Sequence, residues 1–164
     1  MRKGFLFVLV TAVLLISCTY AFAAEMKIGY IDARKVFYEY NKTKDFQKEL
    51  EAKDQQAKDE FEKMATDVRK LRDEIELLSE KAKEKKQNEL MEKTKGLNDF
   101  RREKGEELLK WRDEKIAEIN RDIGNVTTEY AKNNNYDVVI NQMALMYAME
   151  KYDITDEILS RLNK

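Results

Sequence analysis

From Thr43 to Lys132 the sequence runs ninety residues without a proline, and glycine occurs there only at Gly96, Gly105 and Gly124. Within this run Ala57, Phe61, Met64, Val68, Leu71, Ile75, Leu78 and Ala82 alternate spacings of four and three, the heptad seam of a coiled coil. A second seam, Ile116, Ile119, Ile123, Val126 and Tyr130, keeps the same rhythm. The stretch between offers little more than Leu90, Met91, Leu97 and Phe100, and the register slips before Leu108, Leu109 and Trp111. Met64 and Trp111, at helical spacing with other apolar residues, read as helix core.

Two seams with a polar middle fit either one straight rod or an antiparallel hairpin, and the flanking sequences favour the hairpin. Before the helical run, "EMKIGYIDARKVFYEY" places Met26, Ile28 and Tyr30 at every second position, as in a half-buried strand, and Asp32 can cap a short helix carrying Val36 and Phe37. After it, "NNN" at Asn133–Asn135 suits a helix end, because Asn accepts left-handed backbone angles. "YDVVIN" and "ALMYAM" read as strands. "YDITDEILSRLNK" reads as a closing helix with Asp153 as cap and Ile154, Ile158 and Leu162 on one face. A straight rod would hold the two strand regions about 135 Å apart, each unpaired. Folding back near 79–89, with Ser79 as a cap, brings them together and leaves a projection of about 65 Å. Few apolar residues lie near that tip, which predicts low local stability and arms able to flex. Gly96 and Gly105 either mark give in the second arm or are tolerated on a solvated face.

The expected fold class is therefore α+β: a small body built from both chain ends, residues 25–40 and 133–164, carrying a long antiparallel coiled-coil hairpin over 41–132. A body of about 48 residues is marginal without a disulfide, a metal or a partner. About three short strands leave open edges carrying Val138, Val139, Ile140, Leu145, Met146 and Tyr147, and with Ile28 and Tyr30 these are the candidate oligomer-body residues. They invite pairing with other subunits into a closed barrel. The alternative is that the hairpin base covers the edges within one chain.

Residues 1–24 have the texture of a secretory signal peptide: "MRK", the apolar "GFLFVLVTAVLLIS", and a small-x-small site at Ala21-Phe22-Ala23, with cleavage near Ala23 or Ala24. The apolar run is short for a spanning helix, which needs roughly 20 residues. "LISC", ending at Cys18, also resembles a lipobox, which would tether the chain to a membrane through an acylated cysteine. Cleavage after Ala23 or Ala24 removes the only cysteine and leaves 29 basic against 32 acidic residues, a net charge of −3. That balance gives no electrostatic footprint for nucleic acid.

The chemistry of catalysis is sparse. No histidine means no imidazole base and no His-ligated metal, and five glycines are too few for a Gly-rich phosphate loop. Carboxylates such as Glu49, Glu51, Asp54 and Glu60 fit a solvated helix face rather than a cleft that would tune them. These features point away from an enzyme, a cofactor or a metal. The runs "KAKEKK" and "RREK" either make weak contact with a membrane surface or acidic partners, or serve as solubilising faces.

"KIGYIDARKVF", "YAKNNNYDVVIN" and "MYAMEKYDITDEILSRLNK" together resemble the Skp/OmpH family of periplasmic chaperones, across essentially the whole chain after the signal. The specific parts are Tyr130-Ala131-Lys132, Tyr136 to Ile140, Tyr147-Ala148 and Tyr152 to Asp156. The resemblance implies a homotrimer in which a β-barrel body, made from the ends of three chains, carries helical arms around a cavity. It further implies an ATP-independent periplasmic holdase for unfolded outer-membrane proteins. The well-known members have strongly basic arms, whereas this chain is slightly acidic, so holding would rest on many weak contacts rather than on long-range steering. The rival function is an envelope coiled-coil structural or adaptor protein, anchored through Cys18. The resemblance assigns no client-binding residues.

Overall fold

The computed structural model describes residues 26–164, so the segment carrying Cys18, Ala23 and Ala24 lies outside the described residues. The elements run β1 (Ile28–Ile31), α1 (Ala33–Glu39), α2 (Asn41–Glu76), α3 (Glu80–Asn133), β2 (Val138–Asn141) and α4 (Thr155–Leu162). Single 3-10 turns lie at Gln142–Ala144 and Glu150–Tyr152. The chain is mostly helical, and α2 and α3 would measure about 54 and 81 Å as straight helices.

α2 and α3 form an antiparallel hairpin that reverses at Leu77–Ser79. The reversal sits at the near limit of the 79–89 expected, because the polar "EKAKEKKQNE" forms the first turns of α3 rather than a loop. Ser79 occupies the N-cap position, and its carbonyl accepts from the amides of Ala82 and Lys83, but its side chain makes no capping bond. The packing also departs from the expected weak tip. Val68, Leu71 and Ile75 are buried there, whereas no residue of α2 from 47 to 67 and none of α3 from 80 to 118 is buried. The loosely packed zone is therefore residues 47–67 of α2 and 80–118 of α3. α3 remains one helix through Gly96, Gly105 and Gly124.

β1 and β2 pair in parallel, with Ile28 opposite Val138 and Tyr30 opposite Ile140. The expected third strand at 144–149 does not form. Gln142–Ala144 is a 3-10 turn, and Leu145 and Met149 have extended backbones outside any ladder. The outer edge of β1 is taken, and the segment does not lie along the outer edge of β2. Tyr30 makes a parallel bridge to Asp153, and the Ile154 amide donates to the Tyr30 carbonyl at 2.9 Å. The sheet is thus open, and no barrel closes within one chain.

The core joins the body to the foot of the arms. Ile31, Val36, Ile154 and Ile158 pack with Phe46 of α2 and Ile119 and Ile123 of α3, flanked by Trp111, Tyr130 and Leu162. Counting the body as 48 residues understates its core, since three of these seven buried side chains come from the arms.

Candidate functional site

The body face is set by a short series of interlocking contacts between the two ends of the chain. Asp32 caps α1, its Oδ1 accepting from the amides of Arg34 and Lys35 at 3.0 Å. The Asp32 amide donates to the Thr155 hydroxyl at 2.9 Å, and that hydroxyl donates to the Asp153 carboxylate. Asp153 also accepts the Thr155 amide at 2.9 Å, so it serves the first turn of α4 although Ile154 holds the N-cap position. At the start of the sheet, the Lys27 amide donates to Asp137 Oδ2 at 2.7 Å, and the Asp137 amide returns a bond to the Lys27 carbonyl at 2.8 Å.

The end of α3 aims β2 at β1. Asn135 has φ of 55°, the left-handed angle that the "NNN" stretch suggested. The Tyr136 amide donates to Ala131 O and the Asn135 amide to Lys132 O, closing a Schellman motif that turns the chain off the arm. Tyr136 then lies over Gly29, held by the Lys27 ammonium 4.2 Å from its ring centroid. Burial pushes the Tyr136 phenol above its ordinary pKa.

Register partners in a parallel pair share a face. Ile28, Tyr30, Val138 and Ile140 therefore lie on one side of the sheet, and Gly29, Ile31 and Val139 on the other. Ile31 and Val139 turn onto the core, so Val139 serves the chain's own packing. Tyr30 is also buried, and burial followed by the nearby Asp153 carboxylate raises its pKa. Ile28 and Val138 are exposed, Ile140 and Leu145 half-buried, and Met146 and Tyr147 stand almost wholly in solvent. Met26, Met143 and Met149 are exposed on the same body but were not among the candidates. The spacing Met143, Met146, Met149 was their signal in the sequence, masked by reading 144–149 as a strand.

The foot of the arms is locked by charge. Lys42 Nζ lies 2.7 Å from Glu118 and 2.6 Å from Asp122, and Lys115 reaches Glu118 at 3.0 Å. Hydrogen bonds from Lys42 and Lys115 hold the Glu118 carboxyl down at about 2, and hydrogen bonds to Asp122 and then Glu118 raise the Lys42 ammonium. Further out, a groove of about 550 Å³ opens between the arms, floored by Ala57, Phe61, Phe100, Gly105 and Leu108 and rimmed by charges of both signs. Leu77 at the tip is 89% exposed, and Met91 and Leu109 also face solvent. Among the described residues there is no cluster of three His, Cys, Asp or Glu that could hold a metal ion, and no helix long and apolar enough to cross a membrane.

A small open body built from both chain ends, with a long helical hairpin rooted in its core, defines a class of proteins that present helical arms from a compact base. The chain belongs to the OmpH-like family: the family model described as outer membrane protein (OmpH-like) matches residues 27–162. Its fold is similar to the crystal structure of an OmpH-like outer membrane chaperone from Caulobacter crescentus, with a TM-score of 0.78 at 14% identity, over 87% of this chain and 86% of that one. No curated protein sequence matches the chain.

Proposed function

We propose that this protein is an ATP-independent holdase chaperone of the periplasm, binding unfolded outer-membrane proteins between helical arms and preventing their aggregation. Membership of the OmpH-like family supports the chaperone role and the compartment. The observation that carries the holding mechanism is the mid-arm packing. From 47 to 67 and from 80 to 118 the arms bury no side chain fully, and Phe61, Phe100 and Leu108 border a groove open to solvent. Such a surface offers an extended chain many shallow apolar contacts beside Lys and Arg stems, each weak and none demanding a sequence. A slightly acidic chain holds by contact rather than by steering.

The holding unit in this reading is a homotrimer joined through the body. Support comes from the open sheet and from the segment beside it. Among the described residues, the amides of Met146, Tyr147, Ala148 and Met149 donate no hydrogen bond, and unpaired backbone beside an open sheet is a template for pairing with another chain. Pairing it with β-strands of neighbouring copies would cover Ile28, Val138, Met146 and Tyr147 and close a barrel. The test is to dilute a urea-unfolded β-barrel membrane protein into buffer with this protein and follow light scattering, with mass photometry for the oligomer. Suppression by a severalfold excess of oligomer is expected. Undiminished scattering would overturn the holdase, and a monomer at about 10 µM protomer would overturn the assembly.

A further inference from the structure

Sulfur is concentrated on one part of this molecule. Six methionines lie in the described residues, and four of them, Met26, Met143, Met146 and Met149, are exposed on the body. Three of these flank or lie within the segment 146–149, whose amides are unpaired. Met146 is fully exposed, and the Met143 sulfur accepts from the Arg34 guanidinium at 3.8 Å. The one cysteine of the chain is Cys18, so from residue 26 onward thioethers are the only oxidisable sulfur.

We propose that Met143, Met146 and Met149 form an oxidation site that controls assembly of the body, an inference that rests on the self-association proposed above. The oxidant is of the peroxide class. The thioether sulfur attacks one peroxide oxygen, an S–O bond forms as the O–O bond breaks, and the proton moves to the leaving oxygen to release water. The sulfur is oxidised by two electrons to the sulfoxide and the peroxide is reduced. The exposed thioethers of an unassembled chain react, whereas burial in the assembled barrel shields them. A sulfoxide is a strong, polar acceptor, and placing it in an apolar subunit contact without a donor weakens that contact by about tenfold or more. Reduction by a methionine sulfoxide reductase restores the apolar side chain.

The test treats the full mature chain, diluted to where assembled and free forms coexist, with hydrogen peroxide. Sulfoxides are located by peptide mass mapping and oligomer mass is read before and after. The expected result is oxidation at Met143, Met146 and Met149, a rise of about tenfold or more in the protomer dissociation constant, and recovery on reductase treatment. The variant Met143→Leu/Met146→Leu/Met149→Leu, which keeps Met26, Met64 and Met91, is expected to stay assembled under the same oxidant. As a second measure that does not depend on the triple variant folding, Met146→Gln is expected to weaken assembly while Met91→Gln, on the arm, leaves it unchanged. An untreated protein that is monomeric at all concentrations overturns the assembly reading and this inference with it. A protein that stays assembled with all three sulfoxides in place overturns this inference alone.

Discussion

Gly29→Ala separates a contact made by the fold from ordinary strand chemistry, because the two predict opposite signs. Gly29 does not have a positive φ, so its backbone suits any residue. On that ground alone alanine would stabilise the protein by about 0.4–1 kcal/mol, by reducing the freedom of the unfolded chain. Space decides otherwise. A Cβ on residue 29 would meet Tyr136 Cε1 at 3.0 Å, and Tyr136 Cδ1 and Ile154 Cδ1 at 3.2 Å. Neither neighbour yields freely: Tyr136 lies between the Lys27 ammonium and Tyr130, and Ile154 is 3% exposed in the core. Overpacking of this kind costs about 1–3 kcal/mol, so a net loss of about 1 kcal/mol is expected.

The measurement is urea unfolding followed by far-UV circular dichroism at one protomer concentration, since assembly would otherwise shift the midpoint. Gly105→Ala is the matched control. Nothing lies within 4 Å of a Cβ there, the residue is inside a helix, and a gain of about 1 kcal/mol is expected. In a Tyr136→Ser background the cost of Gly29→Ala should largely disappear. A stabilised Gly29→Ala protein would refute the reasoning, since it would mean that the Tyr136 ring does not rest on the strand.

Two further outcomes follow from the foot of the arms. Ile119 is fully buried where arm meets body, so Ile119→Ala should cost about 2–5 kcal/mol in urea unfolding, whereas Leu109→Ala on the exposed face should stay within about 0.5 kcal/mol. Glu118, held at about 2 against an ordinary value of 4.5, contributes stability that is complete above pH 4.5 and lost as the pH falls toward 2. Glu118→Gln should flatten acid unfolding in that window, and an unchanged profile would show that Lys42 and Lys115 do not hold the carboxylate in solution.

Near neighbours along the chain announce their own structure. The Asp32 cap acts on residues two and three positions ahead, the left-handed Asn135 completes a motif with residues three and four positions behind, and the seams at Val68–Ile75 and Ile119–Ile123 repeat within a helical turn. Each depends on backbone geometry over a few residues, so periodicity and composition suffice to read it. The return of one chain end to the other was also legible, because two separated strand patterns need each other's hydrogen bonds.

Contacts across space were decided by the fold. The turn at Leu77–Ser79 carries no glycine or proline to mark it, so the register of α2 on α3 sets its place. "ALMYAM" has the composition of a strand, yet Asp153 and Ile154 take the outer edge of β1 and the segment pairs with neither strand. Tyr30 and Val139 share one strand alphabet with Ile28 and Val138, but two of the four are covered by their own chain and two are not. Gly29 and Tyr136 are in contact although far apart in sequence, and nothing local to either says so. A strand pattern states what a backbone can pair with and which side chains alternate. Only the assembled core determines which edge is taken, which face is covered and which remains open to another chain.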